Sequence, residues 1–448
     1  MTQATDLLNR LITRAKHEGA TDADAISIAS TSIGVQVRNG KSEELERSES
    51  RIVGLRVFLD KRSAIVSTTD LNADNIDRLA QQALAMAKVL PEDRFAGLAP
   101  ISNTSNIDQD LIQQLDLEDS YEPSVMEMLE KAQQAESAAL AVKGVTNSIG
   151  GSCSYGKSEV ILVNSHGFLG SYARTSHSIS ACVLAGDGTA MQRDYDYHTA
   201  VHHTDLEDAA LIGRRAGEKA VTKLNPSKPK TGVFPVVFDP RVANSILSHL
   251  ASALNGAVVA RGTSFLKDHM GDLIFPEAIT IIDQPFIHRG LGSCPFDGEG
   301  LIPEAIKLVD QGKISNWVLD ARSARQLGLK SNGHATRGSS SPPSPSTTNL
   351  FIQPGTITPD ALMNDIKEGI YITEMLGSSV NIVTGDYSRG ASGFMIRDGK
   401  IAEPIMEFTL ASNLKEMFAQ LSVANDLEFR HATNSPTLRI NNMSIAGS

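Results

Sequence analysis

The chain is poor in cysteine: Cys153, Cys182 and Cys294 are the only three in 448 residues. An odd number, at no metal-type spacing, argues against both a disulfide framework and a thiolate metal cage. Long apolar runs are also missing. None approaches the ~18 residues that a bilayer-spanning helix needs, so no membrane association is expected. Positive charge is in deficit: 41 Lys and Arg against 52 Asp and Glu leave a net charge of −11. A protein that tracks nucleic-acid phosphates needs the opposite balance, so no nucleic-acid partner is expected. The opening stretch MTQATDLLNRLITRAKHEGA carries charge throughout and has no signal-peptide apolar core, which points to the cytoplasm.

What is present suits a folded α+β protein. Apolar residues make up 41% of the chain, and 35 glycines mark many turns. Residues 5–18 place Leu7, Leu8, Leu11, Ile12 and Ala15 on one helical face. Period-two alternation follows in DAISIAS, IGVQVRNGK, RIVGLRVFLD and RSAIVSTTD, an antiparallel meander. Further helices are predicted over 74–90, 122–141 and 205–224, with long strands between 144 and 201. The segments QVRNGKSEEL, LVDQGKISNWVL and MIRDGKIAEPIM share a strand, Gly-Lys turn, strand pattern and read as hairpins. The predicted architecture is mixed or antiparallel sheets with flanking helices in two halves. Residues 1–229 form an N-terminal α+β domain, with a polar surface linker at about 91–123. Residues 230–448 form a second domain, rich in short strands and hairpins. RGSSSPPSPSTTNLFIQPG, 337–355, reads as a mobile or partner-wrapping loop.

Candidate chemistry is sparse. RDYDYHTAVHHTD gathers His198, His202 and His203 with Asp194, Asp196 and Asp205, a composition that suits a metal. Its period-two alternation instead puts Asp194, Asp196 and His198 on one strand face, at a solvated strand end. Cys294 sits near Asp297 and Glu299, which disfavour a thiolate. The helix NSILSHLASALNGAVVA, at 244–260, is the most informative. A zinc peptidase helix needs imidazoles for the metal and a carboxylate to take the proton of the bound water. Here His249 stands with Leu250 and Leu254 where those groups belong.

That helix, with CPFDGEG, GKISNWVLDARSARQLGLKSNGHA, SSPPSPSTTNLFIQPG, GIYITEMLG and TGDYSRGASGFMIRDGKI, resembles the TldD/PmbA family, and within it the PmbA (TldE) branch. The resemblance implies a HExxxH helix plus a distant cysteine in the catalytic TldD branch. His249 matches the first histidine, Leu250 replaces the glutamate and Leu254 the second histidine. Five residues separate the two histidine positions, which at ~100° per residue requires a distorted helix. The C-terminal NDLEFRHATNSPTLRI supplies His431 but no cysteine. The resemblance thus implies a non-catalytic subunit with no metal of its own, paired with a zinc-bearing TldD-like subunit that acts on unfolded peptides and matures some peptide antibiotics. A homodimer is possible when the chain is alone. Arg261, Gly262, Thr263 and Ser264 are candidate channel or partner contacts. Two alternatives stay open: a self-sufficient hydrolase using the His198, His202 and His203 cluster, and a homodimeric peptide-binding module.

Overall fold

A computed structural model describes residues 2–100 and 107–448. Its first half runs α1 (Thr2–His17), β1 (Asp22–Arg38), β2 (Lys41–Leu59), β3 (Arg62–Thr68), α2 (Ala73–Val89), α3 (Gln109–Leu115), α4 (Val125–Leu140), β4 (Val145–Asn164), β5 (Leu169–Ala185), β6 (Gln192–Ala200) and α5 (Ala209–Thr222). The strands form one antiparallel sheet in the order β3-β2-β1-β4-β5-β6. DAISIAS and IGVQVR are one strand, not two: the period-two burial lapses over Ile28–Ser32, but pairing continues there on both sides, Ser30 with Ser50 and Ser158 and Ser32 with Ser48 and Gly156. Two helix pairs cover this sheet. Leu8, Leu11 and Ile12 of α1 and Ile76, Leu79 and Leu84 of α2 pack on the β2–β3 end. Met128 and Ala132 of α4 and Ile212 and Ala216 of α5 pack on the far end of β1, β4 and β5. The crossing of α4 and α5 is close enough that a Cβ on Gly213 would collide with the Ala135 carbonyl.

The second half runs β7 (Gly232–Phe238), α6 (Pro240–Ala253), α7 (Gly256–Ala260), β8 (Ile281–Asp283), β9 (Ile306–Asp310), β10 (Lys313–Ile314), α8 (Ala321–Leu327), β11 (Ala335–Thr336), β12 (Ser344–Pro345), β13 (Leu350–Ile352), α9 (Pro359–Met363), β14 (Glu368–Val380), β15 (Asp386–Arg397), β16 (Lys400–Asn413), α10 (Leu414–Ala419), β17 (Leu421–Val423), β18 (Thr433–Asn434) and β19 (Leu438–Ala446). One sheet has the order β16-β15-β14-β7-β19-β17, and β16 also pairs with β19, closing a ring of five strands. A second sheet, β10-β9-β8-β13-β18, lies across α6 from it. The main core fills the space between, with Phe238, Leu250, Trp317, Tyr387 and Phe418 among its members. The three Gly-Lys hairpins form as read from sequence. Asn39 and Gly40 (φ 51° and 73°) and Asp398 and Gly399 (φ 48° and 79°) supply the left-handed pairs that such turns require.

The two segments read as loops also change. The segment 91–123, read as a linker, carries α3 and buries Ala96, Leu98, Ile107, Leu115 and Leu117; its residues 101–106 lie outside the described residues. Arg325 of α8 donates to the carbonyls of Phe95 at 2.9 Å and Gly97 at 3.1 Å, so this stretch is tied to the second half. The segment 337–355, read as a mobile or partner-wrapping loop, is anchored within the second half instead, although Ser340, Ser341, Pro342, Ser344, Gln353 and Pro354 stay exposed. Thr348 N donates to both Asp283 carboxylate oxygens at 2.9 Å, Ser346 N donates to His334 O at 2.9 Å, and Leu350 and Ile352 are fully buried in β13. Its prolines favour extended backbone, and that backbone finds partners on both sides.

Candidate functional site

The segment that joins β7 to α6 builds the site. Asp239 caps α6, its Oδ1 accepting from Arg241 N at 3.0 Å, and Pro240 takes the first helical position, where its missing N–H costs nothing. Tyr371 Oη on β14 donates to Asp239 Oδ2 at 2.9 Å and fixes the entry angle. Val242, Ala243, Ile246, Leu247, Leu250 and Ala253 form the buried stripe. The helix ends at Ala253. Leu254, at φ −89° and ψ 2°, closes it by donating to Leu250 O at 2.9 Å, and Asn255 caps α7. The five-residue spacing therefore runs off the end of the helix rather than through a distorted turn.

Leu250 is 1% exposed and Leu254 0%. Both are core residues, and burying each fully contributes about 1.5–3 kcal/mol. His249 is half-buried, its ring 5.8 Å from that of Tyr387 and edge-on at 74°. Its Nε2 is buried with no hydrogen-bond partner among the described residues. Burial, then the Arg389 guanidinium, lower its pKa to about 4, so the ring is neutral at pH 7. A neutral imidazole can ligate zinc, but the neighbours do not complete a cage: two aliphatic chains and a cation stand beside it. Among the described residues no group of three or more His, Cys, Asp or Glu side chains is placed to hold a metal ion. The residues present at this helix do not fit the zinc that the HExxxH pattern implies.

A pH dependence follows. The unfolded chain binds a proton at His249 near pH 6.5, the folded chain only near 4. The neutral ring's contribution to stability is therefore full above about pH 6.5 and falls as pH drops through that window. Part of the ring is solvated, so the expected loss between pH 7 and 5 is about 1 kcal/mol. His249→Leu should remove that part of the pH slope, as read from urea midpoints at the two pH values.

The histidine-rich cluster does not converge. His198 accepts from Glu207 N at 3.3 Å, His202 Nε2 lies 3.0 Å from Asp116 O, and the His203 ring packs 4.2 Å from Tyr121. Asp205 is exposed, as the sequence reading has it, but Asp194 and Asp196 are buried, contrary to that reading. Asp194 is 2% exposed, with Arg241 Nη1 at 2.9 Å and Lys223 Nζ at 2.8 Å. Burial pushes its pKa up, but Arg241 and Lys223 outweigh that and hold the carboxyl below the usual range. Asp196 pairs with Arg215 at 2.6 Å and Lys219 at 2.9 Å. Because Arg241 belongs to α6 and Asp194 to β6, this cluster joins the halves. Glu374 of β14 extends it, reaching Lys223 at 2.8 Å and Arg193 at 3.0 Å. The alternation Asp194, Asp196, His198 was the available signal; the long-range partners were not.

The remaining candidates separate. Arg261 is exposed, with no side-chain hydrogen bond or ion pair among the described residues, and Gly262 (φ 74°) turns the chain after α7. Thr263 is exposed and donates to Val258 O at 3.2 Å, whereas Ser264 is buried and donates to Ala253 O at 2.6 Å, a structural bond that finishes α6. His431 faces Tyr197 of the first half, ring centroids 5.6 Å apart, in a cleft of about 300 Å³ shared with Tyr195, Asp239 and Arg241. His249 does not line that cleft. The Cys294 thiol is pushed up to about 12, by burial first and Asp297 second, and Cys153 is pushed up to about 11 by burial. Neither suits a nucleophile.

The six-stranded sheet of the first half and the closed β ring of the second thus meet at the Asp194–Arg241 pair, at the start of α6. The chain belongs to the PmbA/TldD metallopeptidase family: its domain 1 matches residues 23–87, its central domain 118–224 and its C-terminal domain 231–447. Within it, the chain is 35% identical to the metalloprotease PmbA of Escherichia coli O157:H7, over 96% of this chain and 93% of that one. It is 33% identical to the PmbA homologue of Haemophilus influenzae, over 99% and 96%. The fold is shared with the crystal structure of TldE from Thermococcus kodakarensis at a TM-score of 0.85 and 21% identity, covering 98% of this chain and 100% of that one. The first two family domains share one sheet here, since β1 pairs with β4 from Asp24↔Asn164 to Val37↔Gly151. Among the described residues, no helix is long and apolar enough to cross a membrane.

Proposed function

We propose that this chain is the non-catalytic, TldE-type subunit of a two-subunit zinc peptidase acting on unfolded peptides. The chemistry belongs to a HExxxH-bearing partner. The observation that carries the reading is the burial of Leu250 and Leu254 in the core. Aliphatic groups there neither ligate a metal nor accept a proton from water, and among the described residues no group of three or more His, Cys, Asp or Glu side chains is placed to hold a metal ion.

Two features support a channel-forming role. On one side, β2 pairs with β3 only over Val53–Leu59, so Lys41–Ile52 has no strand partner on that side among the described residues. Its Lys, Glu and Arg side chains guard this edge against indiscriminate pairing, while an extended peptide or a partner strand can still add to it. The adjoining sheet surface presents Ser152, Ser154, Ser178 and Ser180 around a shallow groove of about 210 Å³. Small hydroxyl-bearing side chains let a peptide backbone approach without selecting its sequence. Arg261 is an exposed cation free to meet a peptide or partner carboxylate.

The test is to mix the chain with a HExxxH-bearing paralogue and follow an unstructured peptide. A complex of one copy of each, with turnover at least tenfold above the paralogue alone, is expected. A chain that neither binds the paralogue nor changes its turnover contradicts the reading and favours the homodimeric peptide-binding module.

A further inference from the structure

The turn 294–301 of the second half docks on the first sheet. Its Phe296 ring meets Tyr172 of β5 edge-on, centroids 5.1 Å apart, and Phe168 at 5.5 Å. Ile26 of β1 and Leu162 of β4 complete the apolar contact. The fit has no slack: a Cβ on Gly170 would stand 2.9 Å from the Phe296 ring, and one on Gly300 (φ 84°) 2.8 Å from the Phe168 ring. Two carboxyls sit inside this contact, Asp297 at 5% exposure and Glu299 at 7%. Their partners are backbone N–H groups. Asp297 Oδ1 accepts from Glu299 N at 2.8 Å and Leu301 N at 2.9 Å, its Oδ2 from Ala335 N at 3.1 Å, and Glu299 Oε2 from Ala321 N at 2.7 Å.

The cations of this junction are engaged elsewhere. From the first sheet Arg56 binds Asp24 at 2.9 Å, and from the stretch after β11 Arg337 binds the same carboxylate at 2.6 Å. Arg174 of β5, on the Cys294 side, donates to Leu291 O. His334 lies 2.7 Å from Asp283, and Asp320 caps α8. Asp24, Asp283, Asp297, Glu299 and Asp320 thus outnumber the cations facing them, even when His334 carries a charge. Burial pushes the Asp297 and Glu299 carboxyls up, and the Asp297 charge pushes Glu299 further. Two buried carboxyls this close, with no cation bonded to either, keep a proton between them rather than ionising together.

We propose that the Asp297–Glu299 pair makes the 294–301 turn a proton-dependent latch between the two halves. With a proton on the pair the turn stays seated on the first sheet. With both carboxyls ionised, the added buried charge unseats the turn, and Phe296 loosens from Phe168 and Tyr172. The sign follows from linkage. The seated pair holds a proton that a solvated carboxyl gives up near about pH 4. Seating is therefore strongest below that pH and weakens as pH rises through the raised values. The Asp194–Arg241 pair stays ionised throughout this range and keeps its own side of the junction closed. The latch stands apart from the α6 leucines, so the inference holds whether or not the chain pairs with a catalytic subunit.

Hydrogen exchange on the full chain tests it at the amides of Asp297 and Gly298, which donate to Leu301 O at 2.8 Å and Ala335 O at 2.7 Å. With intrinsic exchange rates divided out, their protection is expected to fall at least tenfold between pH 6 and pH 9, while that of α5 amides changes less than twofold. Glu299→Gln keeps an acceptor for Ala321 N and cannot ionise, so the turn of this variant should lose less than twofold over the same range. Infrared spectra of the unmodified chain read the proton directly and do not depend on how the variant folds: a protonated-carboxyl band is expected at pH 6 and should be gone at pH 9. Flat protection of the turn in the unmodified chain, an equal fall in a folded Glu299→Gln, or no carboxyl band at pH 6 overturns the proposal.

Discussion

Asp194→Ala is expected to destabilise the protein by about 3–5 kcal/mol, because it leaves the Arg241 and Lys223 cations facing each other in a buried interface. Asp194 is 2% exposed, and the Lys223 side chain 7%. Glu374 still partners Lys223 at 2.8 Å, so the lower end of that range applies to Lys223 and the upper to Arg241. The ion pair spans the junction between β6 and α6, so the loss should appear as uncoupled unfolding of the two halves in calorimetry. In the Asp194→Ala, Arg241→Ala double variant much of the cost should return, since the orphaned cation has gone. The pH dependence has a definite sign. The folded carboxyl titrates below its unfolded value, so its contribution is complete above about pH 4 and is lost only as pH falls below that. A cost below about 1 kcal/mol, typical of an exposed pair, would show that the cluster does not hold the halves together.

Leu250→Glu with Leu254→His, which installs the residue types that the family resemblance implies for the catalytic branch, is expected to cost more than about 5 kcal/mol. Each change forfeits the burial of a leucine and places an unpartnered polar group in the core, where a lone carboxyl or imidazole is penalised heavily. Leu250 and Leu254 are 1% and 0% exposed, and the core cluster around them includes Ile246, Leu247 and Val318, none able to hydrogen-bond a new side chain. Saturating zinc should leave the unfolding midpoint of this variant unchanged, because the third ligand and the surrounding electrostatics are also absent. A midpoint that rises several degrees with zinc would mean that the scaffold still presents a metal cage.

Local pattern carried much of the fold. The apolar stripe of α6, the long period-two strands and the left-handed Asn39-Gly40 and Asp398-Gly399 pairs are short-range signals, legible because each is set by neighbours within a turn or a pleat. What escaped was long-range. The ring closure of β16 on β19 pairs Thr409 with Ala446, and no local pattern announces it. The proline-rich 337–355 looks unanchored in sequence because its partners, Asp283, His334 and Ala432, lie elsewhere in the chain. Asp194 and Asp196 looked solvated for the same reason: their cations sit on α5 and α6. That Leu250 and Leu254 can neither hold a metal nor take a proton is legible in the sequence, since it is a statement about side-chain chemistry alone.

The central claim is that peptide cleavage cannot originate on α6 of this chain. Its most direct test is turnover of an unstructured peptide by the purified chain alone, supplied with excess zinc and free of any HExxxH-bearing protein. The account predicts no turnover above background, and the same null result for His249→Ala. Sustained turnover that a chelator stops and that His249→Ala abolishes would contradict it.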